Sequence, residues 1–215
     1  MTRIYTDRAE AGCALAQVLK KYAPNRTLVL ALPRGGVPVG YEVAKALQAP
    51  LDTLVVRKIG APLNQEFAVG AIAPHEVLVF DEDSIRASGA SQTSVEGMLG
   101  KEREEMRRRI DVYRSGQYSV GFAPNTVIIV DDGIATGMTA RAALRAARIR
   151  YSRARIILAA PVCVPGTAEE LSREADEVVC LASPLDIHAI GQAYEHFDQV
   201  SDEEVLRYLE SAKKN

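Results

Sequence analysis

The sequence predicts an α/β fold: a mainly parallel, twisted sheet with helices on both faces. Three observations predict it. Short continuous apolar runs (TLVLAL, TVIIV, ARIILAAPVCV) read as strands buried on both faces. Segments with apolar residues at helical spacing alternate with them. Polar clusters containing glycine, PRGG and DDGIATG, fall where two of those strands end. Strand–helix–strand alternation implies parallel pairing and right-handed crossovers. Ligands of such sheets bind at the carboxyl ends of the strands. Both clusters are therefore expected on one rim of the sheet, although they lie far apart in sequence.

Each element follows in order. DRAEAGCALAQVLKKYA carries Ala11, Ala14, Leu15, Val18, Leu19 and Tyr22 at helical spacing, and Pro24 ends it. TLVLAL is the first strand, PRGG interrupts, and VPVGYEVAKALQA returns as a helix to the strand LDTLVV. RKIGAPLNQ is polar with Gly and Pro and reads as a loop. EFAVGAIA and EVLVF flank Pro74-His75 as a hairpin. Ser91 to Arg114 reads as one long helix with the stripe Val95, Met98, Leu99, Met106, Ile110 and Tyr113. Its charge run KEREEMRRR is a solvated face laced with i,i+4 pairs. Then come the strand TVIIV, the helix TARAALRAARIR, the strand ARIILAAPVCV, a short helix from Thr167 to Ala175 and the strand EVVCLA. The tail holds two of the three histidines and ends in SDEEVLRYLESA, a helix with Ser201 as N-cap and Glu204 at N3.

Composition sets bounds. A chain of 215 residues with 47% hydrophobic and 25% charged residues suits one domain, 1–215, or one domain with a small subdomain. A net charge of −2 gives no field favouring nucleic acid or an anionic membrane. The apolar runs are too short to span a bilayer, and MTRIYTDRAE lacks a signal-peptide core. Three cysteines, Cys13, Cys163 and Cys180, form no zinc or disulfide pattern and read as small buried hydrophobes of a protein from the reducing cytoplasm.

The chemistry concentrates in DDGIATGMT. Two adjacent acids at a buried strand end cost free energy unless something binds them. Ionised carboxylates only accept hydrogen bonds, and a vicinal diol such as that of ribose supplies donors. Gly133 permits the turn, and Thr136-Gly137-Met138-Thr139 lead into a helix whose free amides and hydroxyls suit a phosphate. The ligand implied is a ribose 5-phosphate. A P-loop would need Lys after Gly137, and a dinucleotide loop a different glycine spacing. The bland alternative is that Asp132 turns the chain and Thr136 caps the helix.

The whole string resembles the ribose-phosphate signature of the type I phosphoribosyltransferases. Val127-Ile128-Ile129-Val130, Asp131, Asp132, Ala135, Thr136, Gly137 and Thr139 fill it. The resemblance extends from about Thr27 to Ala182 in the order of elements. It implies that Asp131, Asp132, Gly133, Ala135, Thr136, Gly137, Met138 and Thr139 hold the ribose 5-phosphate of phosphoribosyl pyrophosphate. LALPRGG resembles the family's pyrophosphate loop, with Pro33, Arg34, Gly35 and Gly36, and by position a cis peptide should precede Arg34. Arg34 offers paired donors to phosphate oxygens. RKIGAPLNQEF stands where the family has a mobile lid; Arg57 and Lys58 are candidates for pyrophosphate, or else a basic surface.

The resemblance further implies transfer of phosphoribosyl to a nitrogenous base or amine, with pyrophosphate leaving. Mg²⁺ would be held mainly by the substrate's oxygens and water. The catalytic candidates are Asp131 and Asp132, which stabilise a developing cation on the ribose ring, and Arg34, which neutralises the leaving group. Members using 6-oxopurines carry an acid at the position of Ala135, so this chain looks more like the adenine or orotate type. The core would be 24–183, with an acceptor hood from 1–23 and 184–215. His188, Tyr194, His196 and Phe197 are candidates to stack on a base, with ordinary packing as the alternative. Family members often pair as homodimers, and the long helix offers a face. A protein that senses phosphoribosyl pyrophosphate without chemistry and a phosphosugar hydrolase remain alternatives.

Overall fold

The computed structural model describes residues 5–23, 26–61, 64–114, 122–187 and 189–214. Pro24 and His188 lie outside them. The elements are α1 (Arg8–Leu19) with a 3-10 turn (Lys20–Tyr22), β1 (Thr27–Ala31), α2 (Gly36–Leu47), β2 (Leu51–Thr53), β3 (Arg57–Ala61), β4 (Asn64–Ala73) and β5 (Val77–Phe80). They continue as α3 (Glu82–Ser88), α4 (Gln92–Arg114), β6 (Thr126–Val130), α5 (Met138–Arg150), β7 (Arg155–Val162), α6 (Thr167–Leu171), β8 (Glu177–Ala182), a second 3-10 turn (Ile190–Ala193) and α7 (Asp202–Ala212).

Five strands form one parallel sheet in the order β2-β1-β6-β7-β8. Side chains alternate across a strand, so each central strand feeds two cores. Val29, Ile128, Val130, Ile157 and Ala159 face α1 and α2, where Leu15, Leu19, Val39, Val43 and Leu47 cover them. Leu28, Leu30, Val127, Ile129, Ile156 and Leu158 face the other way, against the alanine face of α5. That face (Ala140, Ala143, Ala146, Ala147) is small, which lets the helix sit close to the strands. Both faces are covered, which explains the unbroken apolar runs. No helix of the described residues is long and apolar enough to cross a membrane.

The second sheet, β3-β4-β5, is antiparallel. It corrects the loop expected at Arg57–Gln65. Arg57, Lys58 and Ile59 pair with Ile72, Ala71 and Gly70, so long-range pairing outweighs local polarity. The β4–β5 hairpin turns at Pro74–Glu76 as expected, with His75 and Glu76 at positive φ. Ala71, Ala73, Val77 and Val79 pack toward α5, whereas Ile59, Val69 and Ile72 pack toward α4 and α7 with Met106, Tyr113, Val205 and Leu209. The apolar stripe of α4 is thus used within the chain.

Smaller differences have local causes. The strand expected over LDTLVV shortens to Leu51–Thr53. The helix expected over Thr167–Ala175 shortens to Thr167–Leu171. Helix α3 was not expected, although Asp81 caps it, acids fill its first turn and Gly89 closes it at φ 65°. The cysteine reading is corrected in two respects. Cys13 is exposed, and Cys163, just past β7, forms a disulfide with Cys180 within β8, with Cα atoms 6.2 Å apart.

Candidate functional site

Strands β1 and β6 are neighbours in register, with Ala31 beside Val130. The ladder runs one step beyond β1, where the Leu32 amide donates to the Val130 carbonyl at 2.8 Å. PRGG and DDGIATG therefore leave adjacent strand ends and meet, which the sequence required of one rim but not of adjacent strands. The Pro33–Arg34 peptide is cis, at the place the family resemblance assigns it.

Two glycines let the loops touch. A Cβ on Gly35 would lie 2.7 Å from Asp132 Cγ and closer still to Oδ2. One on Gly36 would lie 2.7 Å from the Val130 carbonyl oxygen and 3.0 Å from Asp131 Cα. The Asp132 amide donates to Asp131 Oδ1 at 2.9 Å, which folds the acid pair back on itself. Next, the Ile134 amide donates to Val162 O (2.9 Å) and the Val164 amide to Ile134 O (2.8 Å), tying the loop to the end of β7.

Ala135 and Thr136 are exposed beyond that tie. The Ala135 carbonyl accepts from the Thr167 hydroxyl at 2.9 Å. Gly137 stands at φ 75° as the N-cap of α5, a backbone state that side chains disfavour. Amides of Met138, Thr139 and Ala140 open a thirteen-residue helix there, with its positive dipole end toward the loop.

The two acids shift each other's titration. Burial and the neighbouring Asp132 hold Asp131 well above the usual carboxylate range. Burial also raises Asp132, against the opposing pull of Arg8. The Arg8 Nε donates to Asp132 Oδ2 at 2.8 Å, with both side chains no more than 15% exposed. Nothing in the sequence singles out Arg8, whose chemistry depends on a partner 124 residues away.

Both ends of the chain reach this rim. Tyr5 and Tyr194 bridge in parallel, and the Tyr194 hydroxyl donates to the Asp132 carbonyl at 2.6 Å. Tyr194 stacks on Phe197 with centroids 4.9 Å apart, and the Arg8 guanidinium lies 3.8 Å from the Phe197 centroid. Tyr194 and Phe197 are therefore engaged in packing. His196 joins through its backbone, donating to Thr6 O at 2.8 Å. Ile190 packs against Gly133.

Arg34 is a quarter exposed and lies 3.8 Å from Asp202 at the start of α7. Asp202 also accepts from Tyr113 at 2.5 Å and Arg108 at 2.9 Å. Those bonds outweigh burial and hold its carboxyl below the ordinary range. Arg57 turns to Glu102 at 2.8 Å, so the structure gives it an ion pair in helix α4; Lys58 stands beside it on β3, opposite Ala71. The site thus gathers Pro33–Gly36 with Asp131 and Asp132, continues through Gly133 to Thr139, and leaves Arg57 and Lys58 on the second sheet.

Comparisons with known proteins identify the family. The phosphoribosyl transferase domain family matches residues 3–198. A Mycobacterium tuberculosis protein that carries the provisional name of a phosphoribosyl transferase is 42% identical over 213 residues, 99% of this chain and 48% of that protein. The chain spans about half the length of the curated relatives it matches. Among solved structures, the protein TT1426 from Thermus thermophilus is 39% identical with a TM-score of 0.76, covering 97% of this chain and 98% of that one. A hypothetical protein from Neisseria gonorrhoeae, 14% identical with a TM-score of 0.53 and covering 97% and 96%, shares the fold. By the match of the family model over residues 3–198 and the identity to these relatives, the chain belongs to the phosphoribosyl transferase domain family.

Proposed function

We propose that the protein moves phosphoribosyl from phosphoribosyl pyrophosphate to a nitrogenous base or amine, with release of pyrophosphate and dependence on Mg²⁺. One observation carries the reading: Asp131 and Asp132 stand directly against the Gly35-Gly36 turn, on adjacent strand ends. Acceptor groups for a diol and donor groups for a diphosphate are thereby within one substrate's length. Asp131 and Asp132 bind the ribose hydroxyls and place negative potential beside the cation that develops at C1. The amides of Met138 and Thr139 and the Thr136 hydroxyl hold the 5-phosphate. Arg34 and the Gly35 amide hold the leaving diphosphate, while the Gly36 amide closes the turn by donating to the Leu32 carbonyl at 3.0 Å.

No cluster of three His, Cys, Asp or Glu side chains suited to a metal occurs among the described residues. Mg²⁺ takes oxygen ligands, and in this reading the ion would be carried mainly by substrate oxygens and water. Bound there, it supplies charge neutralisation for the diphosphate. Ala135, with a methyl group where other members carry an acid, favours an acceptor of adenine or orotate type over a 6-oxopurine.

The test is pyrophosphate release from phosphoribosyl pyrophosphate and Mg²⁺ across a panel of bases and amines. Release that requires one acceptor supports the transferase. Binding without turnover for every acceptor overturns it in favour of a sensor, and release without any acceptor overturns it in favour of a hydrolase.

A further inference from the structure

The start of α1 and the tail before α7 converge on a single side chain of the acid pair. Asp7 caps α1 by accepting from the Glu10 amide at 2.8 Å, and the Thr6 amide donates to Glu10 Oε2 at 2.5 Å, which fixes where Arg8 begins. From there the guanidinium is held three ways. Its Nε donates to Asp132 Oδ2 at 2.8 Å, its Nη1 donates to the Asp198 carbonyl at 2.8 Å, and its plane lies 3.8 Å from the Phe197 centroid. Phe197 is itself braced by Tyr194, whose hydroxyl holds the backbone of the same Asp132. A long cationic side chain fixed at this many points is a rigid part of the site.

We infer that Arg8 is the positioning residue of the diol clamp, fixing the Asp132 carboxylate as an acceptor for one hydroxyl of the ribose diol. The inference rests on the ribose reading of Asp131 and Asp132 given above. Two arguments carry it. A guanidinium on Oδ2 compensates one of two adjacent, buried carboxylates that otherwise repel. It also pins the carboxylate plane, because an arginine Nε–H is directional where an ammonium is not. A carboxylate has more acceptor positions than one Nε–H occupies, so Arg8 and a hydroxyl are compatible ligands of Asp132. Burial raises Asp132, and Arg8 is the cation that opposes this.

The test compares equilibrium binding of ribose 5-phosphate with that of 2-deoxyribose 5-phosphate and 3-deoxyribose 5-phosphate by calorimetry in the whole chain, in R8Q and in R8K, alongside thermal unfolding. The wild-type chain is expected to prefer the ribose compound. In R8Q that preference falls by about tenfold against the deoxy compound that lacks the hydroxyl held by Asp132, the scale of a lost charge-assisted hydrogen bond. Binding of inorganic phosphate, which does not touch the diol, stays unchanged. R8K keeps the charge but not the fork and recovers part of the preference; if R8Q does not fold, R8K alone decides, with a preference below wild type expected. A folded variant that keeps the full preference, or binds ribose 5-phosphate more tightly, overturns the inference. A wild-type chain without any preference instead overturns the ribose reading itself.

Discussion

Gly35 and Asp132 are in contact across two loops that leave neighbouring strands, and there is no room between them for a side chain. A Cβ on Gly35 would lie 2.7 Å from Asp132 Cγ. The paired glycines are thus explained by the acids opposite them.

The two glycines are not equivalent. Gly35→Ala meets the end of a side chain, which can move at the expense of the Arg8 bond. Gly36→Ala meets the Val130 carbonyl oxygen and Asp131 Cα, which cannot move without breaking the β1–β6 ladder. Both substitutions should destabilise by about 1–3 kcal/mol, with Gly36→Ala the worse. Urea denaturation of the two variants checks the order, and equal stabilities would contradict the packing described.

Asp131 carries a stability cost that depends on pH. Its folded pKa is raised above the ordinary 3.8 by burial and by Asp132. An acid of raised folded pKa destabilises the fold as pH climbs above the unfolded value, with the full cost reached once the folded pKa is passed. Asp131→Asn removes that charge, so the variant should gain stability relative to wild type between acid and neutral pH. Together with Asp132→Asn it should lose ribose-phosphate binding while staying folded. Thermal scans across pH and calorimetry measure the two halves; a stability gap that does not change with pH would count against the buried-acid account.

Glu105 behaves in the opposite sense. The bond from Arg108 outweighs burial, and Arg109 adds to it, so that its carboxyl is held down at about 2. An acid of lowered pKa stabilises the fold above its unfolded value of 4.5, and that share is lost as pH falls toward about 2. Wild type should lose stability over this interval by more than Glu105→Gln does. Parallel acid titrations followed by circular dichroism compare them.

The cysteines give a chemical count. Thiol labelling of the denatured, unreduced chain should find only Cys13, and labelling after reduction should find all three. Three reactive thiols before reduction would show that Cys163 and Cys180 are not joined.

Much of the parallel sheet was legible because its signals are local. Apolar runs such as Val127–Val130 mark strands covered on both faces, and Ser201 with Glu204 announces α7 through its capping box. The candidate site was legible for the same reason: Asp131 to Thr139 is one contiguous string, and Pro33 to Gly36 another. The second sheet was not, because Arg57-Lys58-Ile59 becomes a strand only by pairing with residues of β4. Sequence by itself determined which loops form the candidate site and which strands bear them. Tertiary structure alone decided that those strands are neighbours, that Gly35 abuts Asp132, and that Arg8 and Tyr194 from opposite ends of the chain close on that one acid. The physical reason is that a motif records the conformation of its own backbone. A buried charge takes its partner from whatever the fold brings within hydrogen-bonding distance.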